Sequence, residues 1–318
     1  MRTIPEISKP PLGDADPVTF PMNLLPDGKP ISAFGFGCSS YWSKHSFAEE
    51  DAVELVLRAR QLGINHFDTG PSYGWGEAER RLGLALKSLD RSALVVSTKV
   101  GTFRDAGGKT FKSFEPSRLR GSVESSLARL GLDQIDILYL HGPQIQDLSP
   151  ALIDCLTDLK GKRLVRFHGI NTFDRPVLER AAQLPFDVVM TQYNVFDVSR
   201  RDDIESLKLG GKTIIGGTAL GQGIFNYSTL IPRSKKSLWY LLRALKNDPV
   251  FPLTRWRARQ RISKLGCPPL EAALLLLLQT PAITSSVFGT TTMAHLEQNV
   301  DVIRHIRRRC RAIGSSGP

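Results

Sequence analysis

Cysteine is scarce and scattered in this 318-residue chain: Cys38, Cys155, Cys267 and Cys310 form no CxxC pair, and none has a histidine at zinc-ligand spacing. That excludes a disulfide framework and a zinc ribbon, and it fits a reducing compartment. Long apolar runs are missing too. The longest, Ala272 to Leu278, is far too short to span a bilayer. No charged segment followed by an apolar one marks the start as a secretory signal. The reading is a cytoplasmic protein with no membrane partner. Internal repeats and low-complexity segments are absent as well, and no boundary stands out, so a single domain over residues 1–318 is expected.

Acidic residues are in deficit, 31 Asp and Glu against 42 Lys and Arg, a formal net charge of +11. Such a balance brings nucleic acid into consideration. Much of the excess is local, however: Arg304, Arg307, Arg308, Arg309 and Arg311 crowd the last helix, where the helix dipole favours cations. No DNA- or RNA-binding motif accompanies them, so no nucleic-acid partner is expected. Otherwise the chain is ordinary for a globular protein, 41% hydrophobic and 23% charged.

What is present is alternation. Apolar runs at 31–38, 64–68, 93–99, 135–141, 165–170, 187–193, 212–218 and 285–289 read as strands. Between and after them, helical patterns fall at about 48–62, 77–89, 117–130, 149–160, 174–182, 202–209, 269–279 and 293–309. Leu119, Val123, Leu127 and Leu130 share one helix face, as do Met293, Leu296, Val300 and Ile303. Eight strand–helix units predict an α/β fold of the (β/α)8 TIM-barrel kind. Pro26-Asp27-Gly28-Lys29 predicts a short hairpin ahead of it. The irregular stretch from Asn226 to Lys264, with Trp239, Tyr240 and Trp256, predicts an excursion among the long loops of the C-terminal face.

Four polar residues follow or end strand-like runs. Asp68 and Tyr73 lie in Gly63-Ile64-Asn65-His66-Phe67-Asp68-Thr69-Gly70-Pro71-Ser72-Tyr73-Gly74; Lys99 closes the third run and His141 the fourth. In a barrel these strand ends open on one face, which makes the four residues neighbours. A free phenol titrates at about 10 and is a poor acid near neutrality. An adjacent ammonium favours the phenolate, and a carboxylate can anchor that ammonium. The imidazole of His141 can hydrogen-bond a carbonyl oxygen and orient it beside Tyr73. Proton donation is half of a reduction; the hydride must come from a nicotinamide cofactor.

At this point the chain resembles the aldo-keto reductase superfamily. The carrying motifs are Gly63 to Gly83, Ser97-Thr98-Lys99, Leu130-Gly131-Leu132-Asp133-Gln134-Ile135-Asp136 leading to Leu140-His141, and Ser286 to Asn299. The resemblance covers nearly the whole chain. It implies a barrel and NAD(P)-dependent interconversion of a small-molecule carbonyl with an alcohol, or of a sugar hemiacetal with a lactone. Tyr73 would be the acid/base, Lys99 and Asp68 its tuning pair, and His141 the substrate orienter.

The same resemblance assigns a cofactor pocket. Asn171 and Thr172 stand where relatives hold the carboxamide with Ser-Asn, and Gln192, two residues after Met190, substitutes for the usual glutamine. Leu220 and Gln222 flank Gly221, and alignment there puts Gly217 at the position of a stacking aromatic. Around the last strand and helix, Gly289 and His295 replace a phosphate-gripping lysine and arginine; Thr290 and Thr291 offer hydroxyls and amides, and Gln298 and Asn299 match adenine contacts. NADP(H) is the first cofactor expectation, NAD(H) the second. Trp42, Trp75, Phe103, Phe196 and the loop around Trp239 are substrate-pocket candidates. Two alternatives remain: an aldose 1-dehydrogenase working oxidatively, and a slow-turnover, cofactor-sensing regulatory subunit.

Overall fold

The computed structural model describes residues 20–221 and 266–314, with Leu238, Leu241, Leu242, Leu245, Gln260 and Ile262 between them. The expected excursion with Trp239, Tyr240 and Trp256 lies outside the described residues, as does Gln222. β1 (Met22–Leu24) and β2 (Pro30–Ser32) form the antiparallel hairpin anticipated around Pro26-Asp27-Gly28-Lys29. β3 (Phe34–Gly37), β4 (His66–Asp68) and β5 (Val95–Val100) then alternate with α1 (Glu49–Gln61) and α2 (Glu77–Leu86).

A second hairpin follows at once, β6 (Thr102–Arg104) against β7 (Thr110–Lys112). After it come α3 (Pro116–Leu130), β8 (Ile135–His141), α4 (Pro150–Gly161), β9 (Val165–Asn171), α5 (Arg175–Ala182) and β10 (Val188–Gln192). The described chain ends with α6 (Arg201–Leu209), β11 (Thr213–Gly217), α7 (Pro269–Leu278), β12 (Ile283–Phe288) and α8 (Met293–Gly314). Strands β3, β4, β5, β8, β9, β10, β11 and β12 close in that order into a parallel barrel, β12 pairing back onto β3. The (β/α)8 expectation is met.

The strand expected at 31–38 is two elements. Residues 30–32 belong to the hairpin and 34–37 to the barrel, with the chain turning at Ala33. The turn is fixed by polar bonds: Ser32 Oγ donates to the Phe34 carbonyl at 2.7 Å, and Asn65 Oδ1 accepts from Ser32 N at 2.7 Å. An apolar run cannot reveal such a break, because both halves remain buried.

Helix faces follow the apolar periodicity. α3 buries Leu119, Val123, Leu127 and Leu130, and α8 buries Leu296, Val300 and Ile303. Each such side chain contributes about 1.5–3 kcal/mol by leaving water. Inside the barrel a separate cluster includes Val95, Ile137, Tyr139, Phe167, Val188, Met190, Ile215 and Val287, and Leu25 and Ile31 of the hairpin join it. The hairpin is also pinned electrostatically. Asp136, at the start of β8, is bonded by Lys29 at 2.9 Å and Arg91 at 2.6 Å. Among the described residues no helix is long and apolar enough to cross a membrane.

Candidate active site

Asp68, Lys99 and His141 stand at or next to the C-terminal ends of the adjacent strands β4, β5 and β8, so parallel topology brings them to one face. Lys99 Nζ donates to Asp68 Oδ2 at 2.6 Å and to the Thr69 carbonyl at 2.7 Å. The ammonium also lies 4.9 Å from the centroid of the Tyr73 ring. Burial works against its charge, but Asp68 and the Tyr73 phenol outweigh that and hold Lys99 more firmly protonated than an ordinary lysine. The Tyr73 ring meets the His141 ring edge-on, centroids 6.0 Å apart. All four residues predicted to act together are together.

The loop carrying Tyr73 is tightly specified. Gly74, Trp75 and Gly76 have φ of 62°, 54° and 95°, a left-handed run that turns the chain into α2. Gly74 has no substitute here: an added Cβ would lie 2.3 Å from the Ser43 carbonyl oxygen. At the start of α2, Glu77 accepts from Arg81 Nε at 2.7 Å and Arg80 Nε at 2.8 Å, while Arg81 Nη1 donates to the Trp42 carbonyl at 2.9 Å. The Arg80 hydrogen bond above all, with Arg81 and against burial, lowers the Glu77 carboxyl to about 2. A depressed carboxyl stabilises the fold above its unfolded value of about 4.5, and that contribution fades as pH falls through about 2. Thermal melts between those pH values should therefore show a loss of stability that Glu77→Gln reduces. Identical slopes for both proteins would remove Glu77 from the acid response.

Beneath the carboxylate runs a buried polar row that reading the sequence missed. Ser97 Oγ donates to Asp68 Oδ1 at 2.8 Å, His66 Nε2 lies 3.2 Å from Ser97 Oγ, and His66 Nδ1 lies 2.9 Å from Ser285 Oγ. Because the Ser97 proton points at the carboxylate, Ser97 accepts from Nε2–H, and Nδ1 accepts from Ser285. Burial, with Lys99 adding to it against Asp68 and Asp136, lowers His66 to about 4, which keeps the ring neutral and this proton count intact at neutral pH. Space for the ring comes from Gly35, whose Cβ would sit 2.6 Å from His66 Nδ1. His141 is neutral as well, lowered to about 3 by burial and by the cations of Lys99 and Lys112.

The expected cofactor residues that are described take the other half of the rim, at or after the ends of β9 to β12 and in the first turns of α8. Asn171 pairs in register with His141 and is buried. Thr172 is already engaged, its hydroxyl oxygen accepting from Asp174 N at 3.1 Å. Gln192 Nε2 donates to Asp197 Oδ2 at 3.0 Å. Leu220 packs on the core, half-buried. Gly217 has room for a Cβ, whose nearest neighbour, the Thr191 carbonyl oxygen, would be 3.4 Å away. The missing aromatic is therefore not forced by crowding at that atom.

At the last junction Gly289, His295 and Gln298 are exposed, Thr290 and Thr291 half-buried, and Asn299 buried. A Cβ on Gly289 would come within 2.9 Å of the Gly37 carbonyl oxygen. Asn171, Thr172 and Gln192, at or just past the C-terminal ends of β9 and β10, give this rim the polar groups that fit a nicotinamide nucleotide.

Of the pocket aromatics, Trp42 is a packing residue, 1% exposed in the core. Trp75 is open to solvent at the rim and lies under the Arg104 guanidinium, 5.3 Å from its ring. Phe103 stacks on Phe111 across the β6–β7 hairpin, centroids 5.9 Å apart. That hairpin adds two polar groups beside His141, Thr102 and Lys112, neither of which was anticipated.

Comparison with known proteins agrees with this fold. A model described as the Aldo/keto reductase family matches residues 33–307. L-galactose dehydrogenase of Arabidopsis thaliana is 31% identical over 293 residues, covering 88% of this chain and 86% of that protein. D-threo-aldose 1-dehydrogenase of a Pseudomonas species is 29% identical over 301 residues, covering 86% and 90%. The holo form of an aldo-keto reductase from Bacillus halodurans superposes with a TM-score of 0.70 at 22% identity, covering 89% of this chain and 90% of that one.

Proposed function

Because the chain belongs to the aldo/keto reductase family, we propose that it is a nicotinamide-dependent oxidoreductase in which Tyr73 exchanges a proton with a carbonyl or alcohol oxygen. The observation that carries the proposal is the Lys99 ammonium held between Asp68, at 2.6 Å, and the Tyr73 ring, at 4.9 Å. In reduction Tyr73 gives its proton to the carbonyl oxygen; in oxidation the phenolate, stabilised by Lys99, takes the alcohol proton. His141, neutral and edge-on to Tyr73, orients that oxygen by a hydrogen bond. A bound nicotinamide supplies or accepts the hydride, chemistry no side chain provides.

Oxidation of an aldose hemiacetal to a lactone is the favoured form of this reaction. Two relatives carry the names L-galactose dehydrogenase and D-threo-aldose 1-dehydrogenase, and each aligns over most of this chain. The test is to titrate NADP(H) and NAD(H) and then measure turnover on aldoses, aldehydes and ketones. Nucleotide binding with no turnover on any of them would favour a cofactor-sensing regulatory subunit instead.

The choice between the nucleotides should be shallow, with NADP(H) ahead by family habit. An arginine fork is the strong side-chain partner for a 2′-phosphate. Here Gly289 has no room for a side chain without moving Gly37, and His295 is a smaller donor. Backbone amides and the α8 dipole, the latter contributing about 0.3–1 kcal/mol, should leave the two affinities within roughly tenfold. Calorimetry with both nucleotides checks this. A preference of several orders of magnitude that survives His295→Ala would mean the phosphate is held by other residues.

A further inference from the structure

The β6–β7 hairpin brings two side chains to the imidazole of His141. Lys112 Nζ donates to Thr102 Oγ1 at 2.7 Å and also to the His141 carbonyl oxygen. Thr102 Oγ1 in turn lies 3.1 Å from His141 Nδ1. An ammonium has three donors and no acceptor, so Thr102 can only accept from Lys112. The threonine hydrogen must then go elsewhere, and among the described residues His141 Nδ1 is its one acceptor within reach. A neutral imidazole that accepts at one nitrogen carries its proton on the other.

We propose that Thr102 and Lys112 are positioning residues that hold His141 as the tautomer protonated on Nε2. The inference rests on the reading of His141 as the group that orients the reacting oxygen. That task needs a donor. Nδ1 is taken up by Thr102 on the hairpin side, and Nε2 has no partner among the described residues. With the proton on Nε2, His141 donates to a carbonyl oxygen; with it on Nδ1, the ring would present a lone pair and repel that oxygen.

Lys112 contributes twice. Its bond to the His141 carbonyl ties the hairpin to the end of β8, and its bond to Thr102 takes up one of the two lone pairs of that hydroxyl, leaving fewer ways for it to accept from Nδ1–H. Its charge also disfavours a second proton on His141, after burial and Lys99.

Nitrogen-15 spectra of the full chain with labelled histidine read the tautomer directly, His141 being assigned by the resonances that His141→Gln removes. The wild type should show an unprotonated Nδ1 and a protonated Nε2. One hydrogen bond of ordinary strength biases two states by about two- to tenfold, so Thr102→Val should shift the population toward Nδ1–H by that factor. Lys112→Met should move it in the same direction, and Thr102→Ser should keep the wild-type spectrum. On a verified carbonyl substrate, Thr102→Val should lower kcat by about two- to tenfold with nucleotide affinity unchanged, and Thr102→Ser should restore it.

A wild-type spectrum with the proton on Nδ1 would overturn the proposal, whether or not the variants fold. So would a Thr102→Val spectrum identical to the wild type. The spectra require no turnover, so a protein that oxidises and reduces nothing would defeat the proposed function while leaving the tautomer assignment to be decided on its own.

Discussion

Tyr73→Phe should lower turnover by about 10²- to 10⁴-fold, the usual contribution of a positioned acid or base, with nucleotide affinity almost unchanged. The substitution deletes one oxygen and keeps the ring. The ring keeps its packing, edge-on to His141 and 4.9 Å from Lys99 Nζ, and only the hydroxyl's own interaction with Lys99 is lost, so the loop from Tyr73 to Gly76 should stay in place. What is lost is the proton. Water is the remaining donor, and it has no fixed position beside the reacting oxygen. Steady-state kinetics on a verified substrate, with nucleotide binding measured separately, decide the matter. Turnover at the wild-type rate would take Tyr73 out of the mechanism.

Lys99→Met should damage both the chemistry and the fold. Without the ammonium, the phenolate that accepts the alcohol proton loses its neighbouring cation, so oxidation should slow. The fold suffers for a different reason. Asp68 is 5% exposed, and its partner Lys99 is 2% exposed. Removing one member of a buried pair strands the other charge, at a cost of about 3–5 kcal/mol. Adding Asp68→Asn removes the stranded charge, so the double variant should be more stable than Lys99→Met alone. Chemical denaturation of the two proteins measures that difference, and steady-state oxidation rates test the chemistry. An unchanged oxidation rate would mean that Lys99 does not support the phenolate, and no recovery in the double variant would mean that Asp68 is not left charged.

The barrel was legible because each of its strands is a compact apolar run between turn residues, and burial on both faces is what parallel strands demand. Asp68, Lys99 and His141 were legible for a related reason: a polar group ending such a run has to emerge where the strands end. The β6–β7 hairpin carries no such signal. Its strands are three residues long and largely exposed, too short for a period to be counted. The clue was repetition, Thr102-Phe103-Arg104 and Thr110-Phe111-Lys112 on either side of Gly107-Gly108. His66 and Ser97 were hidden differently. Each sits inside an apolar run, and its meaning depends on partners brought close only by the closed barrel. Trp42 shows the opposite error, since a large aromatic near a motif reads equally well as pocket wall or as core.

The bond between His66 and Ser285 spans 219 residues of sequence. It joins β4, near the start of the chain, to β12, which is the strand that closes the barrel against β3. Contacts of such long range form late, since the loop entropy must be overcome before they give anything back. The carboxylate end of the row, Asp68 with Ser97 and Lys99, can be laid down early from neighbouring segments, while the Ser285 end must wait for nearly the whole chain to emerge from the ribosome. The row beneath Asp68 is therefore completed only once β12 has taken its place in the barrel.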